Sequence, residues 1–207
     1  DDVLPASDLV ERHREAFEDP SIAAVAGQVL QPGEEAEQLE DGKFAFRSSV
    51  AQDVSEVMGG NFSVRCDTAR AIGGFDENFT RVAYRFEAEF CSRMRRTGAR
   101  IRFVPDATLR HLRAPVGGTR SHGDHLRTWR PSHSVGEYYF FLRAGTGMDR
   151  WRGIVSRPVR AIVTRHHMRH PWWIPVSACA EILGFLWAAY LWARGPRLLV
   201  SNPEGAS

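Results

Sequence analysis

A chain of 207 residues accommodates one ordinary domain, with enough length to bury a real core. Its 43% hydrophobic and 25% charged content excludes an intrinsically disordered polypeptide. The formal net charge is only +2 but lies unevenly: residues 1–60 hold fourteen acids against four bases, and residues 92–207 nineteen bases against six acids. A basic C-terminal half suits phosphate, anionic lipid or nucleic acid as a partner. Lys43 is the only lysine among 27 basic residues, a bias that a GC-rich genome also produces.

No initiator Met, basic n-region or signal-peptide core opens the chain, and its first residues read as mid-domain. The expectation is therefore a piece whose beginning lies upstream of Asp1. Pro5 and Ser7 before Leu9 and Val10 predict a surface helix over 7–18. The apolar, β-branched run 21–30 (SIAAVAGQVL) predicts a buried strand, and the acidic stretch 31–42 a loop or exposed helix. Residues 58–65 read as a turn into a strand, and 67–72 as a short helix closed by Gly73-Gly74. Phe86, Phe90 and Met94 recur at helical spacing, so 86–97 is expected to be a helix stopped at Gly98.

Two strands, 101–104 and 108–112, flank Pro105-Asp106. Residues 113–130 read as a basic, glycine-containing loop, 132–144 as an aromatic helix and 149–169 as an arginine-rich helix. Trp172–Trp192 is apolar apart from Glu181. Cys66, Cys91 and Cys179 are odd in number, lack CxxC spacing and sit among apolar neighbours, which predicts reduced, buried thiols in a cytosolic protein. In that compartment the sequons at Asn61 and Asn78 carry no glycan.

The chemistry concentrates in residues 59–111: GGNFSVR, then AIGGFDENF, then FEAEFCSRMRRTG, then IRFVPDATLRH. Together with the opening Asp1-Asp2, this order resembles the inverting family 2 glycosyltransferases of the GT-A fold. The resemblance is good over about 1–113 and looser beyond. It implies an α/β fold: the acceptor-side half of a Rossmann-like nucleotide-diphospho-sugar transferase domain over 1–113, followed by a basic loop and helices over 114–170. An apolar helix and tail would occupy 171–207.

The activity implied is transfer of one sugar, with inversion, from a nucleotide-sugar donor to a glycan or lipid-linked hydroxyl, in cell-envelope polysaccharide or glycolipid synthesis. The cofactor implied is Mg²⁺ or Mn²⁺, which neutralises a diphosphate leaving group. Asp2 would ligate it, Asp1 would contact ribose or metal, and His111 at a strand end would complete the shell. Gly59, Gly60 and Asn61 would line the donor and acceptor pocket, with Arg65 on the following strand.

The family usually places Glu-Asp where this chain has Phe86-Glu87. Glu87 thus inherits the role of base, kept ionised by the helix N-terminus, while Phe86 departs from the pattern. Glu89 would orient neighbouring groups. Arg113, Gly117, Gly118 and Arg120 suit a diphosphate, Arg through forked hydrogen bonds and Gly through bare amides. The nucleotide-base pocket is expected upstream, so this chain alone is expected to be inactive. The alternative is a catalytically decayed domain that keeps only glycan or lipid contacts.

Trp172–Trp192 is long enough to cross a bilayer, at about 1.5 Å per residue against a core of ~30 Å. Glu181 near its middle would cost roughly 2.5–3.5 kcal/mol there, which favours a peripheral position at the inner face of the cell membrane. Packing in a helical bundle or a true span are the other readings. His122, His125, His166, His167 and His170 lack a Cys or acid at ligand spacing, which argues against zinc. No GxSxG, P-loop or GxGxxG occurs, and no stacking motif accompanies the arginines to support nucleic-acid binding.

Overall fold

The computed structural model describes residues 2–40, 43–79, 84–114 and 126–200. It is mixed α/β, and its chain divides into two compact units. Asp1–Gly74 and Phe90–Pro115 belong to the first, and Phe75–Glu89 and Val116–Ser201 to the second. Residues 75–89, Glu87 and Glu89 among them, group with the helical part, and the segments expected separately at 114–170 and 171–207 fall almost wholly in that same unit.

The first unit is built on strand β5 (Arg100–His111). Strand β2 (Ile22–Leu30) runs parallel along one edge of it. Along the other edge β3 (Gln52–Asp53) and β1 (Val3–Pro5) pair antiparallel with its two halves. Strand β4 (Phe62–Val64) lies antiparallel on β2. All nine residues of β2 are buried, as a near-continuous apolar run between covered faces requires. Helix α1 (Leu9–Ala16) precedes β2, and α2 (Cys66–Ala71) follows β4.

Helix α2 ends as its sequence predicts. Gly73 and Gly74 have φ of 84° and 70°, and their amides return to Arg70 O and Ala69 O at 2.9 and 2.8 Å, the paired bonds of a Schellman cap. The strands expected at 101–104 and 108–112 are instead one. Residues 105–107 bulge out between the β2 partners Gly27 and Gln28, where Pro105 has no N–H for the ladder.

Asn61 repairs that bulge. Its amide nitrogen donates to Gln28 O at 2.9 Å and to Ala107 O at 2.8 Å. Its oxygen accepts from His13 Nε2 at 2.9 Å, and Ser63 Oγ donates to His13 Nδ1 at 2.7 Å. Both Asn61 and His13 are buried. A side chain on Gly27 would collide with the Asn61 amide and with Ala107 O, so a glycine opposite the bulge leaves room for the repair.

The second unit is helical. Helix α3 (Phe86–Arg96) begins in it, and α4 (Val135–Ala144), α5 (Gly147–Ile162), α6 (Arg165–Arg169) and α7 (Trp173–Arg194) make up the rest. The predicted helix 149–169 is broken. Val163 leaves helical geometry, and Thr164 caps α6 by accepting the His167 amide at 3.2 Å. Helices pack closely where glycines face neighbours: any Cβ on Gly184 would strike Ser134, and on Gly153 the Phe141 ring.

Asp76 and Asn78, from the GGFDENF run, tie this unit to its C-terminal segment. Asp76 accepts from Tyr139 OH at 2.7 Å and from the Asn78 and Arg197 amides at 3.0 and 2.9 Å. Asn78 donates to Gly195 O at 2.9 Å.

Replacing Asn61 by Ala strands two buried carbonyls and the His13 N–H, each costing about 1–3 kcal/mol. Urea unfolding of Asn61→Ala is therefore expected to show a loss of about 3 kcal/mol or more. A loss below about 0.5 kcal/mol would mean that the bulge holds without its amide.

Candidate functional site

Asp2 and His111 come together because β1 and β5 pair in a register that sets Val3 opposite His111. The Asp2 carbonyl accepts the Leu112 amide at 2.7 Å, which extends the ladder past the strand end. Arg113 then takes a left-handed φ of 54°. The chain turns back there, and the Ala114 amide donates to Asp2 Oδ2 at 3.1 Å.

The same Asp2 oxygen lies 3.1 Å from His111 Nε2, while His111 Nδ1 faces Gln31 Oε1 at 2.9 Å. Both ring nitrogens therefore meet oxygen acceptors. A cation shared by Nε2 and the carboxylate satisfies this arrangement. Ligand bonds near 2.1 Å place neighbouring donors about 3 Å apart, so the observed spacing fits two adjacent ligands of a divalent ion. About a quarter of each side chain is exposed, enough to admit an ion from solvent. Among the described residues no group of three or more His, Cys, Asp or Glu is gathered to hold a metal. Two protein donors would have to be joined by others.

The remaining expected site residues separate into four sets. Gly59 and Gly60 form an exposed turn closed by the Asn61 amide on Met58 O at 2.9 Å, with neither glycine at positive φ. They remain open to a ligand. Asn61 and Arg65 are committed to the fold, which corrects their reading as substrate contacts. Both amide hydrogens of Asn61 go to backbone carbonyls. Arg65 donates to Ile22 O and Phe17 O, each at 2.7 Å, and its guanidinium lies 5.0 Å from the centre of the Phe17 ring. It holds the end of α1 against the start of β2.

Glu87 and Glu89 stand in the first turn of α3. Glu87 is partly exposed, whereas Glu89 is 2% exposed and belongs to the interior rather than to a substrate surface. Phe86 packs edge-on against Phe75 with ring centroids 5.5 Å apart. Asp1, Gly117, Gly118 and Arg120 lie outside the described residues, as do His122 and His125. Of the cysteines only Cys91 is buried; Cys66 and Cys179 are exposed, contrary to expectation.

A second polar site lies wholly in the helical unit, as a cavity of about 140 Å³. Arg157 Nε lies 2.6 Å from Glu137 Oε2, and Arg157 Nη2 lies 3.3 Å from Glu181 Oε1. Arg160 reaches Glu137 at 3.1 Å, and Tyr138 OH donates to Glu181 at 2.9 Å. Burial pushes Glu181 above its ordinary value of 4.5, with the Arg157 charge opposing the shift. Thr164 and Ser177 line the same cavity and bond the two nitrogens of buried His167 at 2.7 and 2.8 Å. Hydroxyls therefore occupy both ring nitrogens of His167, while His166 and His170 stack with centroids 4.9 Å apart. His13 and Arg157 escaped the sequence reading. The only signal for His13 was its place four residues after Leu9 in a charged helix.

Compared with known proteins, the chain matches no family model, and no curated protein matches it.

Two outcomes are expected of the buried ion pairs. Arg157→Ala leaves two buried carboxylates without their cation and costs about 3–5 kcal/mol. Glu181 binds its proton more tightly folded than unfolded. Its contribution to stability is therefore greatest below pH 4.5 and declines as pH rises through the raised value. Thermal unfolding across pH 4–8 should thus show wild type losing stability relative to Glu181→Gln as pH rises. Parallel curves would mean that Glu181 does not titrate with folding.

Proposed function

We propose that the chain is part of an inverting glycosyltransferase of the GT-A type, which moves a sugar from a nucleotide donor to a glycan or lipid-linked hydroxyl. One observation carries this reading: Asp2 and His111 meet at 3.1 Å at the joined ends of β1 and β5. They are the two residues that the resemblance names as ligands of the divalent ion. Asp2 and His111 would hold Mg²⁺ or Mn²⁺, and the ion would stabilise negative charge on the departing diphosphate.

Gln31, bonded to Nδ1, fixes the orientation of His111. The Ala114 amide fixes the Asp2 carboxylate. The exposed Gly59-Gly60 turn offers backbone that a sugar can approach closely. Glu87, partly exposed in the first turn of α3, is the proposed base for the acceptor hydroxyl, and the helix N-terminus favours its ionised form.

One observation favours the alternative of a domain that binds without transferring. Where the family carries a first acid, Phe86 is packed against Phe75, and that position contributes packing instead of charge.

Mn²⁺ titrated alone into the chain and followed by electron paramagnetic resonance tests the metal site. Asp2→Ala and His111→Ala are each expected to weaken binding at least tenfold; unchanged binding in both would remove the basis of the proposal. Glu87→Gln separates enzyme from binding domain. In any form of the protein that transfers sugar, it should leave Mn²⁺ binding intact and lower the rate about 10²–10⁴-fold.

A further inference from the structure

Helices α5 and α7 each expose a stripe of large apolar residues on the face turned away from their unit. On α5 the residues turned inward include Arg157 and Gly153. The outer stripe is Met148, Trp151, Val155, Val159 and Val163, spaced by three or four residues and each 59–73% exposed. On α7 the buried face is Ser177, Ala180, Glu181, Gly184 and Ala188. Ile182, Leu186 and Tyr190 stand exposed at intervals of four, with Leu183 beside them. Ile154 and, in part, Phe185, Trp187 and Leu191 pack inward, yet two further stripes of large apolar residues face outward, which water does not select. Helices in contact with lipid have this arrangement.

The two stripes adjoin. Between them runs an apolar groove of about 370 Å³, lined by Ile154, Pro158, Ile162, Ala178, Ile182 and Leu186. Charge says what covers this face. Residues 126–200 contain eleven arginines and three acids. Two of the acids, Glu137 and Glu181, are consumed in buried ion pairs. Asp149 and, from the preceding segment of the same unit, Glu77 on Arg197 oppose the arginines from the exterior, which leaves a strong positive excess. Such a positive rim repels a second copy of itself and attracts an anionic surface. Trp129, Trp151, Trp172 and Trp192 are all exposed, and Trp is enriched at the boundary between lipid and water.

We infer that the joint outer face of α5 and α7 lies in the plane of an anionic lipid bilayer surface. The apolar stripes enter the acyl boundary, and the flanking Arg150 and Arg152 reach lipid phosphates. The helix lies flat because α5, with 16 residues, is only about 24 Å long. That is shorter than a hydrocarbon core of ~30 Å, and arginines recur along it. The inference goes beyond the transfer reading, does not depend on it, and assigns to α5 a role that its arginine content had concealed.

Flotation of the chain with vesicles tests this, using phosphatidylcholine alone and phosphatidylcholine with 30% phosphatidylglycerol, an amount on the order of that in anionic membranes. Binding to the anionic vesicles is expected to be at least tenfold tighter and to weaken with salt. Brominated acyl chains are expected to quench Trp fluorescence, and Trp151→Phe to reduce that quenching.

Two double variants, Trp151→Glu with Val155→Glu and Ile182→Glu with Leu186→Glu, change only exposed positions. Each should keep the circular dichroism of wild type and lose binding at least tenfold. Three outcomes would overturn the inference: equal flotation of wild type and both variants, loss in the α7 variant alone, or a dimer in solution that the α5 variant dissociates while vesicles recruit nothing. None of these readouts involves sugar or metal, so failure here leaves the transfer reading standing.

Discussion

The first unit depends on one side-chain amide. Strand β5 is the strand on which β1, β2 and β3 all pair, and Pro105 interrupts it. A bulge in the middle of such a strand would normally leave buried carbonyls without donors, at a cost that few small units could absorb. Asn61 donates to both carbonyls from the turn before β4 and is itself held by His13 from α1. A helix, a turn and two strands are thereby joined through a single buried group. The bulge keeps β5 in one piece, and the far end of β5 carries His111 to its place opposite β1. The pairing of Asp2 with His111 thus follows from repair of a fault some residues earlier in the strand.

The second unit solves a similar problem with charge. Glu137, Arg157 and Glu181 are nearly enclosed, and burying ions is costly unless each finds a partner. Arg157 serves both carboxylates, and Tyr138 satisfies a further lone pair of Glu181. Small residues on α7 make the approach possible: Gly184 faces Ser134 too closely for any side chain. This polar cluster adjoins an apolar one of Val135, Tyr138, Tyr139, Ile154 and Ala188, and further large apolar residues of α5 and α7 stand on the outer surface.

Much of this was legible in the sequence where local pattern decides the outcome. The buried strand β2 announced itself by composition, and α2 by its closing glycine pair. What could not be read was non-local. The bonds of Asn61 reach residues 33 and 46 positions away, so an Asn after two glycines looked like a ligand contact. Arg65 looked like a substrate group for the same reason. β1 and β3, of three and two residues, exist only because β5 offers them an edge. The amphipathic stripe of α5 was hidden by the arginines between its apolar residues, because composition says nothing about which side of a helix faces inward.

Glu181 also changes meaning once its partners are known. Taken alone, an acid in the middle of a 22-residue apolar helix opposes lipid contact, because hydrocarbon offers a carboxylate neither water nor counter-charge. Arg157 supplies the counter-charge and Tyr138 the hydrogen bond, both from within the same unit. The desolvation of Glu181 is therefore offset in part within the folded unit. Ile182 and Leu186 share a groove with Glu181 and Tyr138, so the carboxylate beside the exposed stripe is already paired. Under the proposed bilayer contact, the arginines that stay outside would reside where phosphate is available, and the exposed apolar stripes would there leave water.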